Sequence, residues 1–258
     1  MDFSKFDWKF NLFGIPVRVM ATFWLVCVFF SPFSSGNDGP WLFGLLGWSA
    51  AMLLTFLAHE FGHALSMRKL YGGAPQIDLG IGHTQSGAFV FGGLTTARTR
   101  DVSFGKHALT SAAGPLAELA SVLVFVIILS LFGTRFEIST SLFGIPVLTP
   151  LAESFTSVIK SPGALYFVYY FAHGFIWLGI VWGLFNLAPI FPCDGGQILL
   201  AILGKSLGPS GVRLTFGISF ILAVAVAAYF LLNGSVFMPL FFGYTAYQNY
   251  NLMRGMRG

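Results

Sequence analysis

His59-Glu60-Phe61-Gly62-His63 lies late in Trp41–Lys69, a stretch otherwise apolar enough to cross a bilayer. Crossing a hydrocarbon layer of about 30 Å takes about 20 helical residues. On a helix, side chains four apart share a face, so both imidazoles can reach one ion. Zinc takes neutral imidazole nitrogen, and a Glu after the first His suits a general base. A chance match to HExxH is the competing reading. It is rarer inside an apolar span, where a Glu costs about 2.5–3.5 kcal/mol unless the site compensates. Spacing and cost together point to a metal centre. His59 precedes Lys69 by ten residues, so it sits roughly 15 Å inside the end of the span. Hydrolysis at that depth needs a wet cavity shielded from lipid.

The rest of the chain agrees with a lipid environment. Over 258 residues, 55% are hydrophobic and only 9% charged, with 30 Phe and six Trp. A soluble surface needs more charge than that. Six spans are expected, near Val17–Phe33, Trp41–Lys69, His107–Phe132, Leu165–Leu187, Val212–Leu232 and Val236–Met253. The fold class is therefore an all-α membrane protein of about six transmembrane helices, with one small β element. Its domain organisation is a single membrane-embedded unit over residues 1–258.

Charge gives a topology. Lys5, Lys9, Arg18, Arg68, Lys69, Arg98, Arg100, Lys106, Lys205, Arg213, Arg254 and Arg257 fall on one side, and Arg135 and Lys160 on the other. Positive charge marks the cytoplasmic face, so both termini are expected there. The expected location is a prokaryotic cell membrane, with the lipid bilayer as surroundings. No basic cluster gathers on one soluble face, which argues against a nucleic-acid partner. A cleaved signal peptide over the first span lacks a clear small-x-small site after Phe33. Cys27 and Cys193 imply no disulfide framework.

Two connections stand out. Gly72–Lys106 is Gly-rich and carries the alternating runs Gln76-Ile77-Asp78-Leu79 and Ala88-Phe89-Val90-Phe91, which predict strands of a small membrane-hugging sheet between the second and third spans. Thr134–Gly163 is broken by Pro146 and Pro150. The short link at Asn233–Ser235 predicts an antiparallel hairpin of the last two spans.

Two histidines leave zinc short of a third protein ligand. Asp194 is the best candidate, in Asn186-Leu187-Ala188-Pro189-Ile190-Phe191-Pro192-Cys193-Asp194-Gly195-Gly196. Pro189 and Pro192 cannot continue a regular helix, and Gly195-Gly196 permits a sharp reversal. Broken backbone at membrane depth is tolerated where it lines a protein cavity. Read alone, this segment is equally a plain helix end with a solvated Asp.

Together, His59–His63 and Asn186–Gly196 resemble the site-2 protease family of intramembrane zinc proteases, with signatures HExxH and NxxPxxPxDG. Ala113-Gly114-Pro115-Leu116-Ala117-Glu118 is similar to the family's Gly-Pro-containing third span. The resemblance covers about residues 55–200. It implies His59, His63 and Asp194 as zinc ligands and Glu60 as catalytic acid/base. The implied activity is intramembrane endoproteolysis of single-pass, membrane-anchored substrates, as in regulated intramembrane proteolysis. Family members commonly carry Asn where Glu118 stands and Leu where Cys193 stands. PDZ and CBS segments, found in many members, are not expected in this sequence.

Asn186 and Glu118 are candidate substrate-binding residues. Asn186 is placed to hydrogen-bond an unwound substrate backbone or a developing oxyanion. Burial favours a neutral Glu118, able to donate a hydrogen bond as Asn does. An edge strand in Gly72–Lys106 is expected to hold the unwound segment by main-chain pairing. His173 is intramembrane and suits interhelical hydrogen bonding. His83 and His107 read as interfacial histidines. Gly179 and Gly183 allow close helix packing.

Three rivals remain. Gly208-Pro209-Ser210-Gly211 matches the GxSG of rhomboid serine proteases, but no His follows His173 to act as a downstream base. A CAAX-type membrane zinc protease takes a downstream Glu as ligand, and Glu118 alone lies within a span. A metal transporter or silent scaffold would show polar sites along a path, or internal repeats; here the polar groups converge on one depth.

Overall fold

The computed structural model describes residues 3–32, 40–83, 89–97, 103–140 and 144–256. The chain falls into two compact units: Met1–Thr99 with Leu116–Gly183, and Arg100–Pro115 with Leu184–Gly258.

The first unit opens with a 3-10 turn, Phe3–Phe6, and a hairpin of β1 (Trp8–Leu12) and β2 (Ile15–Val19). A short helix α1 (Ala21–Phe29) leads to α2 (Trp41–Tyr71), which carries the HExxH residues. At 31 residues, α2 is about 46 Å long. Gly72 ends it in the left-handed conformation, φ 65°, which a side chain would disfavour. The chain then turns into β3 (Pro75–His83) and β4 (Phe89–Ala97). Strand order is β1-β2-β3-β4, and β2 pairs parallel to β3 with Val17 opposite Ile77 and Val19 opposite Leu79. The alternation sends Ile15, Val17, Val19, Ile77 and Leu79 into a core with Phe23, Trp48, Met52 and Phe56.

This arrangement revises two expectations. Residues predicted as a first span, Val17–Phe33, are divided between β2 and the nine-residue α1, while Phe33 lies outside the described residues. Nine helical residues reach only about 14 Å. Hydropathy misread Val17–Val19 because a strand end with Val17 and Val19 buried is as apolar as a helix. The all-α class is likewise too simple: the expected strands around Ile77 and Phe89 exist, but the β1–β2 hairpin joins them in one sheet. Ala88 of the second run lies outside the described residues. The Pro-broken connection after the third span holds a second hairpin, β5 (Phe136–Thr140) with β6 (Pro146–Pro150), and a single turn, α4 (Glu153–Thr156).

The long helices α3 (Phe104–Leu131) and α5 (Pro162–Asn186) each pass from one unit into the other. In the first unit, Val122 of α3 and Phe175, Ile176 and Val181 of α5 share a core with Ala51 and Val147. The second unit adds α6 (Asp194–Leu207), which begins at the proposed metal-binding Asp and was not foreseen. It is followed by α7 (Pro209–Leu232) and α8 (Phe237–Gly255), an antiparallel pair with Phe216, Ala223, Phe230, Phe242 and Ala246 buried.

Among the described residues, α2, α3, α5 and α7 are long and apolar enough to cross a membrane. Four such helices make a multi-pass membrane protein. Leu116, Leu123, Val124, Ile127 and Ile128 of α3 are exposed, as lipid-facing side chains are. The sixth expected span corresponds to α8, whose Gln248, Asn249 and Asn251 keep it below the hydropathy of a spanning helix.

Candidate metal centre

The i, i+4 spacing puts His59 and His63 one above the other on α2, both buried. Their Nε2 atoms stand 3.1 Å apart. Two nitrogens bound to one tetrahedral zinc at 2.0–2.1 Å are about 3.3 Å apart. The pair is thus already spaced for an ion.

Glu118 of α3 packs on the far side of the His59 ring. Its Oε2 lies 2.8 Å from His59 Nδ1, and the side chain has no exposed surface. That contact leaves Nε2 of His59 as the atom facing His63. A CAAX-type role for Glu118, as a third ligand beside the two Nε2 atoms, does not fit this placement, since its near oxygen is at the opposite ring nitrogen.

Glu60, one residue after His59, points to β4. Thr95 Oγ1 lies 2.7 Å from Glu60 Oε2 and 3.0 Å from the Glu60 carbonyl oxygen, so its hydroxyl is within donating distance of both. Two residues earlier, Gly93 lets the carboxylate approach the strand: a Cβ there would stand 2.5 Å from Glu60 Oε1. Gly92, between Phe91 and Gly93, faces Phe56 and Trp182, whose rings stack 5.3 Å apart. No sequence signal singled out Thr95 or Gly93. Their roles follow from register, which sets Thr95 opposite Ile77 on the sheet face turned to α2.

Of the other expected residues, Asn186, Cys193, Asp194 and His107 lie in the second unit, and His83 and His173 in the first. Asn186 is the last residue of α5 and Asp194 the first of α6, with Cys193 at its N-cap. Between them the chain folds tightly on itself. The Ile190 N–H donates to Ala188 O at 2.7 Å and the Cys193 N–H to Ile190 O at 2.8 Å. A Cβ on Gly196 would fall 2.3 Å from the Phe191 nitrogen, so this glycine is required by close approach. The Phe191 N–H donates to Ser219 Oγ at 2.9 Å, and its carbonyl accepts from Asn249 Nδ2 at 2.6 Å. His107, near the start of α3, hydrogen-bonds Gln197 in the first turns of α6 and feels the Asp194 charge. His173 stacks on Tyr169 with ring centroids 6.0 Å apart. His83 offers its main-chain oxygen to Arg18 at 3.3 Å.

The profile of Peptidase family M50 matches residues 48–226, from mid-α2 into α7. The chain belongs to peptidase family M50. It is similar to the zinc metalloprotease MJ0392 of Methanocaldococcus jannaschii, with 25% identity over 202 residues, 77% of this chain and 46% of that protein. This M50 chain thus spans about half the length of the curated relative it matches. Its fold is similar to that of the site-2 protease from Methanocaldococcus jannaschii, with a TM-score of 0.55 and 21% identity, covering 95% of this chain and 94% of that one. Peptidase family M50 is a family of metalloproteases, and membership implies zinc as the metal. The two facing Nε2 atoms fit that ion, being neutral nitrogen donors at the right separation.

Proposed function

We propose that the chain is an intramembrane zinc endopeptidase that cleaves the transmembrane segments of membrane-anchored, single-pass proteins. The observation that carries the reading is the pair of Nε2 atoms 3.1 Å apart, with the adjacent Glu60 carboxylate held by Thr95. His59, His63 and Asp194 hold the metal in this reading. Support for Asp194 comes from its place in the Pro-Gly segment and from family membership. Zinc, when bound, supplies Lewis acidity to a peptide carbonyl and to water.

Glu60 takes the proton of the attacking water as the oxygen adds to the carbonyl carbon. It then returns that proton to the leaving nitrogen as the C–N bond breaks. The Thr95 hydroxyl keeps the carboxylate in one orientation through both transfers. Asn186 serves the substrate backbone or the developing oxyanion.

A helical substrate hides its peptide bonds, so it must be locally unwound. Strand β4 ends the sheet order, so one of its edges has no neighbouring strand in that sheet among the described residues. We take this edge, on the strand that touches Glu60, as the place where an extended substrate pairs by main-chain hydrogen bonds. In this reading the sheet lies at the Arg68–Lys69 end of α2, which the positive-inside rule would put on the cytoplasmic side.

The test is cleavage of a co-expressed single-pass substrate by Glu60→Gln beside the wild type, with zinc measured in both. The variant is expected to keep zinc and lose cleavage. Undiminished cleavage refutes the mechanism.

A further inference from the structure

We infer that Glu118 is a positioning residue for the metal centre: its carboxylate accepts the Nδ1–H of His59 and so turns an unprotonated Nε2 toward the point that Nε2 of His63 also faces. This rests on the reading of His59 and His63 as metal ligands. A neutral imidazole carries one proton, and the nitrogen left bare is the one that can bind metal. Proximity of Glu118 Oε2 to Nδ1, at 2.8 Å, selects Nδ1 as the protonated site. A carboxylate bonded to the outer nitrogen of a ligating His also raises the basicity of the inner one.

The surroundings are built for that carboxylate. Gly183 of α5 faces it, and a Cβ there would come within 3.2 Å of Glu118 Oε2. One turn earlier, a Cβ on Gly179 would fall 2.3 Å from Val122 Cγ2. Glycine at both positions lets α5 approach the stretch of α3 that presents Glu118 and Val122. The Ser121 hydroxyl donates to the Glu118 main-chain oxygen at 2.6 Å. A fully buried carboxylate is costly unless positive charge or donors offset it. A dication one imidazole away offsets it, which a structural role alone would not supply. Glu118 thereby takes an orienting role behind the ligand in place of substrate contact.

Zinc competition with a chromophoric chelator on the purified full chain tests this, using wild type, Glu118→Leu, Glu118→Gln and His63→Ala. Gln retains an acceptor for Nδ1–H, whereas Leu removes it at similar volume. Glu118→Leu is expected to bind zinc about 10–100-fold more weakly, with Glu118→Gln near wild type. Wild-type affinity in a folded Glu118→Leu overturns the inference. Loss of zinc in Glu118→Gln as complete as in His63→Ala also overturns it, because Glu118 would then be a ligand. Full zinc binding by His63→Ala instead sinks the ligand reading and is a separate outcome. Should Glu118→Leu not fold, nitrogen-15 NMR of the zinc-loaded wild type decides, with His83, His107 and His173 substituted for assignment. A protonated Nδ1 on His59 supports the inference, and a bare Nδ1 overturns it.

Discussion

The Asn249 side-chain amide donates to the Phe191 main-chain carbonyl at 2.6 Å, tying residues 58 apart in sequence. The same amide nitrogen also donates to Thr245 O at 2.8 Å, and Ser219 accepts the Phe191 N–H. Phe191 is thus held at both of its backbone groups by α7 and α8. It lies three residues before Asp194. Asn249 stands beyond residues 48–226, the part matched by the family profile, so this brace comes from the chain's C-terminal helix rather than from the segment the family shares.

Replacing Asn249 by Leu leaves a buried carbonyl without its donor, at a cost of about 1–3 kcal/mol. Amide exchange in Ile190–Asp194 is expected to quicken about tenfold or more, tenfold being about 1.4 kcal/mol. The measurement is hydrogen–deuterium exchange on the purified protein. Protection equal to wild type would show that the brace does not hold the loop.

Thr95→Val removes the hydroxyl beside Glu60 while keeping shape. Because a misplacement of about 1 Å can cost about 10²-fold, kcat is expected to fall toward that extent, with zinc content unchanged. Thr95→Ser should restore most of the rate. If Val and Ser behave alike in steady-state cleavage assays, the hydrogen bond has no part in catalysis.

Gly93→Ala places a methyl 2.5 Å from Glu60 Oε1, so the carboxylate must move. Activity should drop while zinc stoichiometry stays at the wild-type value. Combined with Thr95→Val, the losses should be less than additive, since both act on one side chain. Rate measurements on the two single variants and the double variant check this.

Asp78 gives a pH prediction. Burial raises its carboxyl above the usual range, although Arg18 opposes the shift, as does Gln76. A carboxyl raised on folding favours the folded state fully below its ordinary value of 3.8 and loses that contribution as pH rises through the folded value. At neutral pH its charge is therefore a burden. Asp78→Asn should melt higher than wild type near pH 7, with the gap closing as pH falls into the carboxylate range. Arg18 keeps its 2.7 Å pair with Asp7 in that variant. A gap that widens on acidification would contradict the assignment.

Legibility in the sequence followed the length scale of the interaction. His59 and His63 were readable because helix periodicity alone puts positions four apart on one face. Ile77 and Leu79 announced β3 by alternation, and Pro189, Pro192 and Gly195 announced the break before Asp194. Glu118 stood out as a carboxylate in an apolar span, yet its partner His59 is 59 residues away, and no local pattern names such a partner. Thr95 had no signal, since its meaning lies in cross-strand register and in the approach of α2. The β1–β2 hairpin was lost because hydropathy measures apolarity, which Val17–Val19 shares with a helix. Nor did composition show that α6 would start at Asp194.

Parallel pairing of β2 with β3 has a practical consequence. From β1 to β4 every strand is bonded to the next, so β2 sits two ladders, and β1 three, from the strand that touches Glu60. A disturbance at the chain's beginning, such as a bulky fusion or a proline placed in β2, has a short mechanical route to Glu60. The opening residues should accordingly be handled in any engineering as part of the support for Glu60.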